Sequence, residues 1–252
     1  MTGCLDAAIP FYVAERIRRP PPLDCCVLPG STPVVAFGDP RRSCVATLGL
    51  NPSRIEFEER GLELDGRLRR FETLRSLGVN GLENALDEII ARVWHRCNGY
   101  FRGNPYRWFN RLEEVLNAID ASYFGDTACH LDLSQWATDP TWNGLSRNAR
   151  ERLVADDAEF LQTQLRSEPI RLLLLNGQAV LSAFQTVLNG RLVREHETVS
   201  DRSVTAQFYT GRIGDVQVIG WSTNLQSSFG VTKMLRMRLA ERVRRLRDDG
   251  PA

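Results

Sequence analysis

The stretch VATLGLNPSRIEF, residues 45–57, reads as a buried strand that ends in a Gly-Leu-Asn-Pro turn. The run 44–50 is short, continuously apolar and closed by turn residues, the pattern of a strand covered on both faces. Pro52 restricts the backbone around the turn, so one amide side chain, Asn51, is presented at the strand's carboxyl end. Working outward, three further strands are expected: ACHLDL at 128–133, IRLLLL at 170–175 and VQVIGW at 216–221. Between them lie helical patterns: residues 66–100 and 105–121, with Leu68, Phe71, Leu74 and Leu77, then Leu82, Leu86, Ile89, Ile90 and Val93 at helical spacing, and 147–166. A turn and helix follow NGQAV, a β-ribbon with a turn at Gly211 spans 193–209, and a last helix starts near Phe229.

Strands alternating with helices imply an α/β protein: a three-layer α/β/α sandwich on a mostly parallel, four-stranded central sheet. Ligands bind at the carboxyl ends of such strands, which directs attention to the loops at Asn51, 132–140, Asn176 and 222–228. Residues 1–43, with RRPPPLDCC and LPGSTP, read as an irregular arm with one short helix, packed on a domain spanning 44–252 that carries a helical insertion at 66–121.

Composition narrows the class. Of the 252 residues, 42% are hydrophobic and 25% charged, which excludes a disordered or collagen-like chain. No apolar run approaches the roughly 20 residues of a spanning helix, so a cytoplasmic protein without a membrane partner is expected. The six cysteines (4, 25, 26, 44, 97 and 129) form no C-x-x-C pair, and His95, His130 and His196 follow no ligand spacing. Neither a metal nor another cofactor is called for, and the thiols read as reduced. Net charge is +1, but residues 233–247 are strongly basic: Arg236, Arg238, Arg242, Arg244, Arg245 and Arg247 surround an apolar stripe. That face is either a solvated helix surface or a line of phosphate contacts.

Three motifs together resemble the uracil-DNA glycosylase superfamily. GLNPS after the first core strand is similar to its first motif, a Gly-x-Asn-Pro or Gly-x-Asp-Pro turn. GWSTNLQSS before the last helix lies where that superfamily carries a His-Pro-Ser or Asn-Pro-Ser loop, and LLLLNGQAV resembles its penultimate strand and helix. The resemblance covers residues 44–247, apart from the insertion. No G-x-G-x-x-G or Walker pattern supports the competing nucleotide-binding folds.

The resemblance implies a monomeric enzyme that acts on DNA, flips a nucleotide out of the stack and hydrolyses the bond between base and sugar. Asn51 would position the attacking water, since an amide oxygen accepts from water without deprotonating it; the alternative is a turn or capping role. Asn224 would donate to the pyrimidine O2, although Leu225 stands in the proline position and no histidine is present. Ser222, Thr223, Gln226, Ser227 and Ser228 would pinch phosphates, with Leu225 as a wedge into the stack; the alternative is a polar turn capping the last helix.

Asp132 falls where many uracil-specific relatives carry a base-reading asparagine. A carboxylate only accepts, so it suits the C4 amino group of cytosine and opposes the C4 carbonyl of uracil; a structural, arginine-paired carboxylate is the alternative. Ser53 replaces the bulky tyrosine that strict uracil enzymes place against the ring 5-position. Together Ser53 and Asp132 point to a 5-substituted cytosine of the kind some phages use, hence to a role in defence rather than repair. Phe57 is a candidate to stack on the base, and Trp136 and Trp142 are candidates for the pocket mouth, with a core role expected for at least one. The aromatic and arginine-rich stretch 99–110 reads either as a stacking surface or as helix packing. His130 is read as pointing to the face opposite Asp132, a core histidine. Lys233, the only lysine, leaves little chance of Schiff-base chemistry, so a monofunctional hydrolase is expected. A catalytically inactive nucleic-acid-binding member and a nucleotide or nucleoside enzyme on the same sheet are the other classes left open.

Overall fold

A computed structural model describes residues 8–226 and 230–249. In chain order these form α1 (Phe11–Arg18), β1 (Val45–Gly49), the two-residue strands β2 (Glu58–Glu59) and β3 (Leu62–Glu63), α2 (Leu74–Leu77), α3 (Asp87–Asn98), α4 (Asn110–Asn117) and β4 (Ala128–Asp132), then α5 (Arg147–Ser167), β5 (Leu172–Asn176), α6 (Gln178–Val187), β6 (Leu192–Asp201), β7 (Val204–Ile213), β8 (Val216–Trp221) and α7 (Lys233–Asp249).

The fold is α/β with a mostly parallel central sheet of order β4-β1-β5-β8-β7-β6. It has six strands where four were expected. β4, β1, β5 and β8 are parallel, and the β6–β7 ribbon extends the same sheet because Phe208–Ile213 of β7 pair antiparallel with β8. The ribbon turns between Asp201 and Val204; Gly211, expected at the turn, is paired within β7. Alternate residues of the strands serve two cores, as the two-residue repeat of a strand requires. Val45, Leu172, Leu174 and Ile219 face α1, α3, α4 and α7, whereas Ala46, Leu48, Leu173, Leu175 and Val218 face α5 and α6.

The expected helical run 66–100 is broken. Gly78 caps α2 in the left-handed conformation at φ 71°, and regular helix resumes only at Asp87. The segment 105–121 contributes only α4 and a preceding 3-10 turn. From the stretch 99–110, Tyr100, Phe101 and Phe109 are buried, and they join Phe37, Phe71 and Tyr123 in one aromatic cluster with ring centroids 4.5 to 5.5 Å apart. Core packing therefore accounts for most of that stretch.

Most arginines of α7 have partners within the protein, while Arg244 and Arg245 remain about half exposed. Arg236 pairs with Glu114 at 2.7 Å, Arg242 with Glu197 at 2.9 Å, Arg244 with Glu241 at 2.8 Å and Arg247 with Asp248 at 2.8 Å, while Arg238 donates to the Ser200 carbonyl. Facing carboxylates on α4 and β6, invisible as partners in the linear order, engage Arg236 and Arg242, whereas Arg244 and Arg247 pair within α7. No described helix is long and apolar enough to cross a membrane. Cys25, Cys26, Cys44, Cys97 and Cys129 are free thiols.

The N-terminal arm is bound tightly. Phe37 exchanges both backbone hydrogen bonds with His130, and α1 inserts Arg16 between α5 and the loop after β4. The Arg16 guanidinium lies 2.7 Å from Asp157 Oδ1, with both side chains fully buried, and donates to Gln135 Oε1 at 3.0 Å. Asp157 Oδ2 accepts from Ser134 Oγ at 2.9 Å and from the Gln135 amide at 2.8 Å. Burial lowers the Arg16 pKa and raises that of Asp157, so each charge depends on the other. Arg16→Ala strands a buried carboxylate and is expected to cost roughly 3–5 kcal/mol in urea unfolding, whereas the double change Arg16→Met, Asp157→Leu recovers most of that loss.

Candidate active site

The carboxyl ends of β1, β4, β5 and β8 lie at one level, with Gly49 opposite Asp132 and Asn176 opposite Trp221. A cleft of about 210 Å³ opens there. Its walls are Gly49, Asn51, Ser53 and Arg54 from the first turn, Thr138 and Trp142 from the loop after β4, Asn176 and Asn224 from the ends of β5 and β8, and Trp108 from the insertion. The Gly-Leu-Asn-Pro turn thus forms one wall of a concave site.

Asn51 is held by its nitrogen. Nδ2 donates to the Trp136 carbonyl at 3.0 Å and to Thr138 Oγ1 at 3.1 Å. Both amide protons are committed to protein, so Oδ1 is the atom that Asn51 offers to the cleft, an acceptor of fixed direction. The loop that receives it is stitched to the turn by Leu133 N to Gly49 O, Ser134 N to Leu50 O and a parallel bridge between Ser53 and Thr138.

The second loop is organised by Asn176. Its Oδ1 accepts from Trp221 Nε1 at 2.9 Å and from the Leu225 amide at 3.1 Å, and its Nδ2 donates to Gln226 Oε1 at 2.5 Å and Asn224 Oδ1 at 3.3 Å. Asn224 Oδ1 also accepts from the Gln226 amide at 2.9 Å, which leaves the exposed Asn224 its NH₂ group as the donor toward the cleft. Gly177, at φ +99°, allows the two loops to meet: a Cβ there would lie 3.2 Å from Asn224 Cβ.

Several candidate residues occupy other places. Leu225 is fully buried in the core, with its carbonyl accepting from Arg111, and is no exposed wedge. Ser222 Oγ accepts from the Gln207 amide and Thr223 Oγ1 donates to the Thr205 carbonyl, so β7 takes up both hydroxyls. Ser227 and Ser228 lie outside the described residues. Trp136 turns its ring into a core formed by Cys25, Leu145, Ala149 and Leu153, beneath the Arg16 guanidinium, and reaches the site only through its carbonyl. Trp142 and Trp108 supply the aromatic walls instead. Phe57 is buried against Phe71 at 5.6 Å and does not line the cleft.

Asp132 is buried behind the cleft wall. A Cβ on Gly49 would fall 2.2 Å from Asp132 Oδ1 and 2.8 Å from His130 Nε2, so only a glycine allows this approach. His130 and Asp132 share one face, contrary to the expectation. Residues two apart in a strand project to the same side, and Nε2 lies 3.3 Å from Asp132 Oδ1. His130 Nδ1 meets Thr47 Oγ1 at 2.6 Å, and Thr47 meets the Tyr123 hydroxyl at 2.5 Å. Asp132 Oδ2 is buried with no protein partner.

A second buried carboxyl, Glu56, belongs to the 3-10 turn after Ser53. The Tyr100 hydroxyl donates to its Oε2 at 2.8 Å, and Arg70 Nε stands 3.8 Å from the same oxygen. Desolvation outweighs both and pushes Glu56 up to about 7, with the charge of Asp132 adding to the rise. Only its burial, not its place in the sequence, marks it. Among the described residues no group of three or more His, Cys, Asp or Glu side chains is arranged to hold a metal.

No protein-family model matches the chain, and no curated protein matches it.

Glu56 makes stability depend on pH. Between its ordinary value of 4.5 and about 7 the folded protein keeps a proton that the unfolded chain has lost, so stability falls as pH rises through this window. Glu56→Gln removes that loss. Relative to wild type, the variant is expected to gain about 3 kcal/mol between pH 4.5 and pH 8, measured by urea unfolding at both.

Proposed function

We propose that this protein is a divergent member of the uracil-DNA glycosylase superfamily: a monofunctional DNA glycosylase that hydrolyses the N-glycosidic bond of a non-canonical pyrimidine. A 5-substituted cytosine is favoured over uracil. The observation that carries this reading is the clamped amide of Asn51, whose free Oδ1 faces a cleft at the carboxyl ends of parallel strands, with the Asn224 amide on the opposite wall. Cleaving such a bond builds positive charge on the sugar and negative charge on the base. Asn51 would orient water toward the anomeric carbon, where little deprotonation is needed, and Asn224 would donate to the base oxygen as charge develops. The small side chain of Ser53 on the cleft wall leaves room beside a ring 5-position. Asp132, behind Gly49, supplies an acceptor suited to a 4-amino group. The order of four parallel strands and the two motif loops at their ends support the superfamily reading over a nucleotide-binding sheet.

Wild type and Asn51→Ala are to be incubated with duplexes containing uracil, cytosine, 5-hydroxymethylcytosine or glucosylated 5-hydroxymethylcytosine, and abasic sites measured. Release by wild type, reduced at least about 100-fold in Asn51→Ala, is expected. No release of any base contradicts the reading. Lys233, the only lysine, is exposed at the start of α7 and is not part of the cleft wall. Borohydride added during turnover is therefore expected to trap no protein–DNA adduct, and a trapped adduct would refute direct hydrolysis.

A further inference from the structure

We propose that Asn176 is the positioning residue of the second wall: the orientation of its amide sets the polarity of Asn224, so that a hydrogen-bond donor rather than an acceptor faces the departing base. This deepens the glycosylase reading and rests on it. An asparagine carries a donor and an acceptor of nearly the same shape, and a half-turn of its amide exchanges them. With Nδ2 toward the cleft, Asn224 stabilises an oxygen that gains negative charge; with Oδ1 there, it repels that oxygen. What Asn224 does therefore depends on what holds it.

The relay starts from two groups that can only donate. Trp221 Nε1 lies 2.9 Å and the Leu225 amide 3.1 Å from Asn176 Oδ1. Neither an indole N–H nor a backbone N–H has an acceptor to offer, so the Asn176 amide has one satisfactory orientation, with its oxygen toward both. Its Nδ2 is thereby turned to Gln226 Oε1 at 2.5 Å and to Asn224 Oδ1 at 3.3 Å. Both of those side chains must then point their oxygens inward. The Gln226 backbone amide adds a second donor to Asn224 Oδ1 at 2.9 Å, and the Asn224 NH₂ group is left to the cleft.

The place of Asn176 in the fold suits this task. It is the last residue of β5, paired with the fully buried Trp221 of β8, and it is itself buried while lining the cleft. Its own backbone is thus fixed by the sheet, and its partners by the core. Gly177, the next residue, admits Asn224 to within reach, since a Cβ there would lie 3.2 Å from Asn224 Cβ. Gln226 carries the same order further: its Oε1 accepts from Asn176, and its Nε2 donates to the carbonyl of Trp108, the aromatic wall, at 3.5 Å.

The isosteric change Asn176→Asp isolates the effect. One carboxylate oxygen still accepts from Trp221 and Leu225, while the other replaces the NH₂ group and faces Asn224 Oδ1 and Gln226 Oε1. Like acceptors repel, so both amides turn their NH₂ groups inward and Asn224 presents Oδ1 to the base. The loop keeps its contacts, and only its polarity is inverted.

The test is a double-mutant cycle on Asn176→Asp and Asn224→Ala. Single-turnover release is measured at saturating protein from whichever of the uracil, 5-hydroxymethylcytosine and glucosylated duplexes wild type cleaves, and duplex affinity is measured separately. Each single variant is expected to release the base about 100-fold more slowly than wild type, with duplex affinity changed by less than about threefold. In the Asn224→Ala background, Asn176→Asp is expected to slow release no further, because it acts through the side chain already removed. A wild-type rate in either single variant, a loss confined to duplex affinity, or losses that multiply in the double variant would overturn the relay while leaving the glycosylase standing. If Asn176→Asp does not fold, Asn176→Ser, which keeps an acceptor and lacks the NH₂ group, takes its place in the cycle with an expected loss of about tenfold. Release of no base by wild type overturns the relay and the glycosylase together.

Discussion

Asp157 is the point on which the site hangs. A carboxylate buried on α5 is tolerated only because Arg16 neutralises one oxygen while Ser134 and the Gln135 amide satisfy the other. Gln135 in turn donates to the carbonyl of Asp132 and accepts from Arg16. One ion pair therefore fixes α1, α5 and residues 132–138 together. That segment ends in the Trp136 carbonyl and the Thr138 hydroxyl, the two acceptors that orient Asn51. The N-terminal arm, which looks peripheral along the chain, holds the centre of the molecule in register.

Asn176 does for the opposite wall what Asp157 does for this one. Placed at the last residue of β5, its single amide group satisfies an indole N–H, a backbone N–H and two side-chain oxygens from the loop after β8. Parallel strands bring Gly49, Asp132, Asn176 and Trp221 to the same edge of the sheet, so both walls start from one rigid platform. The amides that face the cleft are consequently fixed by polar contacts to neighbouring segments.

The differences between the expected and observed site have one source. In the second loop, small polar residues suggested phosphate contacts, but β7 runs alongside and uses Ser222 and Thr223 as edge partners. Leu225 points inward because its backbone is held at both ends, by Asn176 and Arg111. Arg236 and Arg242 of α7 meet carboxylates of α4 and β6. In each case a partner remote in sequence decided which way a side chain faces.

Much of the architecture was legible in local pattern. Short, largely apolar runs identified the four parallel strands, their alternation with helices implied the sheet, and the Gly-Leu-Asn-Pro turn placed Asn51 at a strand end. The pairing of His130 with Asp132 was also within reach, since the two-residue repeat of a strand puts them on one face. Only the tertiary structure decided that Trp108 rather than Trp136 lines the cleft, that the insertion supplies an aromatic core, and that Glu56 is buried beside Tyr100 and Arg70. Local pattern reports the period of burial, which follows from backbone geometry. Desolvation of a carboxyl and the direction of an indole depend on what distant segments pack around them, and no single stretch of sequence contains that information.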